Sequence, residues 1–177
     1  VNDPRAARTR ARLRAALFEA CEDRPLGEVS VARVTRLARV SRGTFYLHYE
    51  DLPALAVDAC AELLREAVDA LHASTDPPSV LTELLGSVSA RENVYRSLIG
   101  PGGGGPLGEA LHGQLRERAL AERRRRAETP GDEAIASAVA ATFTGVLGGR
   151  LHGHVPGTDA EVATRIWTMV LALHRSG

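Results

Sequence analysis

Lysine is missing altogether from this 177-residue chain, and all 22 of its Lys/Arg positions are arginine. That excludes any chemistry that needs a lysine, including the phosphate-binding lysine of a Walker A loop and Schiff-base catalysis. Aromatic residues are almost as scarce: three Phe, three Tyr and one Trp. A core must then be built from Leu, Val and Ala, which suits packed helices better than a β-sandwich. The two cysteines, Cys21 and Cys60, stand on separate helical stretches. They fit buried, reduced thiols better than a redox pair or a disulfide framework. No apolar run approaches 18 residues and no signal-peptide pattern is present, so the expectation is a cytoplasmic chain without a membrane span. No Ser/His/Asp set or carboxylate pair stands out, and neither an enzyme nor a cofactor is expected.

What is present is a hydrophobic fraction of 44% and a net charge of zero with an uneven distribution. Residues 1–50 hold ten arginines against six acids, a balance of +4, and the remainder balances at −4. A basic front end on an acidic body suggests a localised contact with a polyanion.

Apolar residues recur at helical spacing throughout, with no strand-period segment and no repeat. Leu13, Ala16, Leu17, Ala20 and Cys21 form the stripe of a first helix, about 5–21. Ser30 is placed to cap a second, about 31–38, and Ser41 a third, about 42–49. Val29 with Val34, and Val40 with Phe45, are spaced as hydrophobic staples across those caps. Asp51 caps a long fourth helix reaching about Ala73, with Pro53 tolerated in its first turn. Further helices are expected near 79–90, 91–99, 107–128, 132–149 and 159–175. The glycine-rich stretch from Gly100 to Pro106 reads as a slack connection. The fold class is therefore all-α, with about nine helices. Residues 1–50 are expected to form a helix-turn-helix domain, and 51–177 a second helical domain.

The third helix carries the chemistry. Phe45 and Tyr49 share the face of Val40 and anchor it inward. Arg42, Gly43, Thr44, Tyr46 and Leu47 occupy the other sides, with His48 at the edge and no acid before Glu50. Such a surface suits a major groove, where Arg reads guanine or phosphate and Thr meets a thymine methyl. An ordinary helical corner would show the same caps; only the outward face separates the two readings.

At these residues the sequence resembles the DNA-binding domain of TetR-family regulators, over Leu13 to Leu55. The stretch Val40-Ser41-Arg42-Gly43-Thr44-Phe45-Tyr46-Leu47-His48-Tyr49 follows the family's recognition-helix pattern almost residue for residue. The resemblance implies a sequence-specific transcriptional regulator, a repressor released from a palindromic double-stranded operator by a small apolar effector. Arg42, Gly43, Thr44, Tyr46 and His48 would then lie at the DNA with Ser41 and Leu47, and Ser30 would face a phosphate. Two positions depart from the pattern. Arg39 stands where the family usually has Gly, which strains a left-handed turn or adds a phosphate contact. Leu52 stands where the family often has Lys. The arginines at 5, 8, 10 and 12 could substitute for that contact as an electrostatic arm. These departures leave open an alternative, a dimeric protein-interaction module of the same fold with lost or weakened DNA binding.

The resemblance also implies a homodimer through the last two helices. The first offers Ala134, Ala138, Ala141, Thr142, Gly145 and Gly149, small residues at helical spacing. The second offers Val162, Ile166, Trp167 and Val170, on a helix apolar nearly all round. A ligand pocket is implied among helices four to eight, with Leu64, Tyr95, Leu98, Ile99, Leu111, Leu115, Phe143 and Leu147 as candidate lining. The run Arg123 to Arg126 reads as a solvated helix face, with Glu117, Glu122 and Glu128 near enough to pair. His152-Gly153-His154 has no third ligand nearby, so no metal is expected.

Overall fold

A computed structural model describes residues 4–126 and 131–175. Glu128, expected to pair with the arginine run, lies outside them. The described residues form nine α-helices and no strand: α1 (Pro4–Ala20), α2 (Val31–Ala38), α3 (Arg42–Tyr46), α4 (Leu52–Ala73), α5 (Pro77–Ser89), α6 (Glu92–Leu98), α7 (Pro106–Arg126), α8 (Asp132–Leu151) and α9 (Asp159–Arg175). A short 3-10 turn, Leu26–Glu28, joins α1 to α2. The expected all-α architecture holds.

The helix starts follow side-chain chemistry. Ser30, Ser41, Asp51 and Asp76 each accept a backbone N–H three residues on, which satisfies a first-turn donor. Val34 and Phe45 are fully buried and Val29 nearly so, consistent with the stapled entries. One expectation changes: α3 is one turn long and stops at Tyr46, not 49. The chain tightens after it, with His48 N–H and Tyr49 N–H both donating to Phe45 O at 2.9 and 3.0 Å. That contraction keeps Tyr49 in the core while freeing the chain to reach the Asp51 cap.

One continuous cluster of buried side chains runs from Leu13 on α1 to Ile166 on α9. α1 packs on α2 and α4, α5 on α9, and α7 on α8. α8 is long and apolar enough to cross a membrane by length and composition, but half of that stretch is buried inside the bundle.

The glycine-rich connection is not slack. It sits directly on α8, backbone against backbone. A Cβ on Gly148 would lie 2.3 Å from Gly100 O, and one on Gly103 would lie 2.5 Å from the Thr144 carbonyl. Gly108, at the start of α7, would meet Gly103 O just as closely. Gly103 and Gly105 also hold positive φ, at 84° and 89°. Glycine here is the condition for contact, not a source of flexibility.

The arginine run divides as well. Arg123 is not solvated: its Nε donates to Asp132 Oδ1 at 2.5 Å, with both side chains about one-tenth exposed. This pair ties the end of α7 to the start of α8. Arg125 is exposed and reaches Glu122 at 3.7 Å, as a surface pair should.

Candidate nucleic-acid interface

The α2–α3 corner is built around a strained turn. Arg39 ends α2 in the left-handed conformation, φ 52° and ψ 47°. It is the sole non-glycine residue with positive φ among the described residues. The strain costs about 1 kcal/mol. Hydrogen bonds over-determine it: Arg39 N–H donates to Arg36 O at 3.1 Å and Val40 N–H to Thr35 O at 3.0 Å. From α1, Arg12 Nη2 donates to Arg39 O at 3.0 Å. Arg12 therefore supports the turn that the sequence left in doubt.

Beyond this turn the inward and outward faces of α3 separate cleanly. Phe45 is fully buried, and Tyr49 nearly so. Tyr49 Oη donates to Asp58 Oδ2 at 2.6 Å, and Arg14 Nη1 donates to the same oxygen at 3.2 Å. Burial first, and the Asp58 carboxylate second, push the Tyr49 phenol far above its ordinary range.

Outward, Tyr46 is 59% exposed and Leu47 83% exposed, two of the three large apolar side chains left in solvent among the described residues. Ser30, Arg39, Ser41, Arg42 and Gly43 are exposed too, and Thr44 and His48 half-buried. All nine expected contact residues are thus at least partly exposed, within the stretch from the start of α2 to the turn after α3. Ser41 and Thr44 share a hydrogen bond at 2.8 Å, while Ser41 Oγ also caps the Thr44 N–H. Two hydroxyl protons serve one bond between them, so one is left to donate outward.

Gly43 is informative for what it lacks. A Cβ there would meet only Ser41 Oγ, at an ordinary 3.7 Å. Nothing inside the chain requires a glycine, which costs about 1 kcal/mol against Ala in a helix.

The sequence reading missed Arg36. It is exposed one turn before Arg39, and no acid occurs between Val31 and Tyr49. The period-three run Arg33, Arg36, Arg39, Arg42 was the available signal. Leu52, by contrast, is core, so that position adds nothing to this surface. Arg8 donates to Pro4 O within its own helix, and Arg12 is spent on the turn. The arm expected from the first arginines is thus partly committed elsewhere.

Away from this corner, a cavity of about 420 Å³ opens between the end of α4, the start of α5, and α7, α8 and α9. Leu71, Leu81, Phe143 and Trp167 wall it, with His72 and His174 among its polar lining. Of the eight candidate ligand residues, only Leu115 and Phe143 line it. Leu64, Tyr95, Leu98, Ile99 and Leu111 instead fill the core, and Leu147 borders a separate groove. Helical spacing marks which side chains point inward, not which inward space stays empty. Burial of Cys60 beside Tyr95 pushes its thiol up to about 12, so both cysteines are buried thiols.

The candidate dimer residues divide in the same way. On α8, Ala134 and Ala141 are exposed and Ala138, Thr142 and Gly145 half-buried, whereas Gly149 is buried against Val155. On α9, a helix packed against α5 and α8, Val162 and Ile166 are buried within the chain, and Ile166 also lines the cavity. Trp167 and Val170 line the cavity. The outer face of α9 is Thr164, Thr168, Met169 and Ala172, so the helix is not apolar all round. His152 Nε2 is hydrogen-bonded to Ile99 O at 2.9 Å, and no cluster of three metal-ligating side chains occurs among the described residues.

Among solved structures, the chain is similar to a TetR transcriptional regulator from Streptococcus agalactiae. The TM-score is 0.60 and the identity 20%, over 96% of this chain and 97% of that one. A gamma-butyrolactone receptor described as ArpA-like aligns at TM-score 0.43 and 18% identity, over 98% and 99%. The first likeness shows that this chain has the fold of that regulator along nearly its whole length. No family model and no curated protein matches the sequence.

Proposed function

We propose that this chain is a transcriptional regulator of the TetR family, a repressor in which residues 1–50 bind an operator and 51–177 dimerise and receive a small apolar effector. The observation that carries the reading is the outward face of α3. An exposed tyrosine, an exposed leucine and a glycine without an internal reason lie on it beside the exposed Arg42, and Arg36 and Arg39 are exposed just before it in the chain. In water that surface is costly; against a major groove each part has a use. A second copy would present a second recognition helix, so the operator is palindromic. The faces available for pairing are those of α8 around Ala134, Ala141 and Thr142 and of α9 around Thr168 and Met169.

Selection from a random duplex pool at low salt tests this directly. A palindrome should be enriched, with affinity falling steeply as salt rises, because each arginine–phosphate contact releases counterions. Failure of any sequence to enrich would favour the protein-interaction alternative.

The effector half of the proposal rests on the cavity, whose size and apolar walls fit a small ligand. Trp167 is the chain's one tryptophan and lies in that wall, so it reports occupancy without a label. Anilinonaphthalene sulfonate, an anionic fluorophore with an apolar ring system, should take energy from Trp167. Ala119→Phe, which fills the cavity, should remove the transfer; persistence of transfer in that variant would place the dye elsewhere.

A further inference from the structure

We infer that the cavity between α4, α5, α7, α8 and α9 selects an apolar molecule with a hydrogen-bond-donating end, an alcohol or amine, and rejects acids, with Glu122 enforcing the choice. The inference rests on the effector reading proposed above and names the chemistry of the ligand.

The cavity is apolar at its floor and polar at its rim. Leu81, Leu115, Phe143 and Ile166 line it and are buried. His72 and Ser74 at the end of α4, Glu122 on α7 and His174 at the end of α9 also line it, and these are half-buried or exposed. A ligand therefore places its apolar body inward and its polar group at the rim.

An acid at that rim would give up hydration and need a cation or free N–H groups in return. The chain has no lysine, so guanidinium is the one fixed cation available. No arginine lines the cavity among the described residues. On the same stretch of α7, Arg118 is engaged with Asp69 of α4, and Arg123 with Asp132 of α8. A helix N-terminus is the usual substitute, because its free N–H groups and its dipole attract anions. α5 begins at this cavity, with Pro77 in the lining. Its first two residues, Pro77 and Pro78, have no N–H. The next two N–H groups are taken: Ser79 donates to the Asp76 carboxylate and Val80 to Asp76 O, each at 3.5 Å.

Acceptors, by contrast, are present. Glu122 brings a carboxylate to the rim. Arg125 lies 3.7 Å from it with its own side chain 79% exposed, a pair that water leaves weak. His72 Nδ1 donates to Val68 O at 2.7 Å, so the neutral ring keeps Nε2 as an acceptor. Ser74 Oγ accepts the Asp76 N–H at 2.9 Å and has one proton of its own to give. The Trp167 indole adds a single uncharged N–H. A hydroxyl or an amine satisfies this set. A carboxylate or sulfonate meets the like charge of Glu122, a repulsive element that discriminates between ligands.

Two dyes with one ring system test the assignment on the full chain at pH 8, where an ordinary imidazole is neutral. N-phenyl-1-naphthylamine keeps the rings and the N–H of anilinonaphthalene sulfonate without the sulfonate. Each is titrated by energy transfer from Trp167. The neutral dye should bind more tightly, and its advantage should shrink about tenfold in Glu122→Gln, the weight of one close like-charge contact. The change should come from tighter binding of the sulfonate alone. Glu117→Gln removes the same charge from an exposed site on α7 outside the cavity and should leave the ratio where it was.

A second comparison needs no variant. Decylamine and decanoate have equal chains and opposite charges at pH 8. Decylamine should displace the neutral dye at a concentration about tenfold below that of decanoate. Equal potency, a preference for decanoate, or an unchanged dye ratio in Glu122→Gln overturns the inference while leaving a ligand cavity in place. Absence of transfer to either dye overturns the effector reading itself, and this inference with it.

Discussion

Tyr46→Ala should cut affinity for the selected palindrome by about thirtyfold or more. Truncating a side chain that reads a groove costs about 1–3 kcal/mol per contact, and a dimer loses two of them. The fold should barely register the change, because the Tyr46 ring is 59% exposed and meets the core mainly edge-on against Phe45, at a centroid distance of 5.2 Å. Competition binding against unrelated duplex gives the result, with a melting curve alongside. Arg36→Ala is the instructive contrast. A phosphate contact carries no sequence information, so its loss should weaken all duplexes alike and flatten the salt dependence. Undiminished specific affinity in Tyr46→Ala would remove α3 from the interface.

Arg123→Met should destabilise the chain by about 3–5 kcal/mol. The Asp132 carboxylate would stay buried at the start of α8 having lost its Arg123 contact, and breaking a buried pair by removing one member is far costlier than the pair was beneficial. The exposed neighbour Arg125, changed the same way, should shift stability by no more than about 0.5 kcal/mol. In a chain of this size the first variant should melt roughly 6–20 °C lower. Both should be compared at one protein concentration, since dimerisation contributes to apparent stability. Equal behaviour of the two variants would mean that the Arg123–Asp132 pair does not hold α7 to α8. Two arginines that are almost adjacent in sequence are thus expected to differ about tenfold in their energetic weight.

That contrast shows where sequence stops. Arg123 and Arg125 have the same side chain, the same helix and nearly the same neighbours. They differ because α8 folds back to place Asp132 beside one of them. The α2–α3 corner was legible for the opposite reason. Its caps, staples and apolar spacing act within ten residues, through local hydrogen bonds and a 3.6-residue period that need no distant partner. Ser30, Ser41, Val34 and Phe45 could be assigned on those grounds, and the structure places each as assigned. The doubt over Arg39 was also local, but its relief comes from Arg12, 27 residues away.

The ligand and dimer residues were read less well, and for one reason. Periodicity separates inside from outside on a helix; it does not say which neighbour, cavity or partner an inside residue meets. Val162 and Ile166 are expected at the dimer interface, yet both are buried within their own chain on a helix packed against α5 and α8, and Ile166 also lines the cavity. Leu64 and Leu111 are inward-facing, yet the space beside them is filled.

The missing lysines and scarce aromatics therefore settled a good deal without coordinates: an all-helical core of small aliphatic side chains, arginine as the one fixed cation, and a capped corner with an outward aromatic. Those properties are short-range and survive in any arrangement of the helices. Tertiary structure alone decided that the glycine stretch is a seam, and that Arg123 is an anchor and Arg125 is not. Each of these is a contact between segments distant in the chain, fixed by how helices pack, and helix packing leaves no period in the sequence to read.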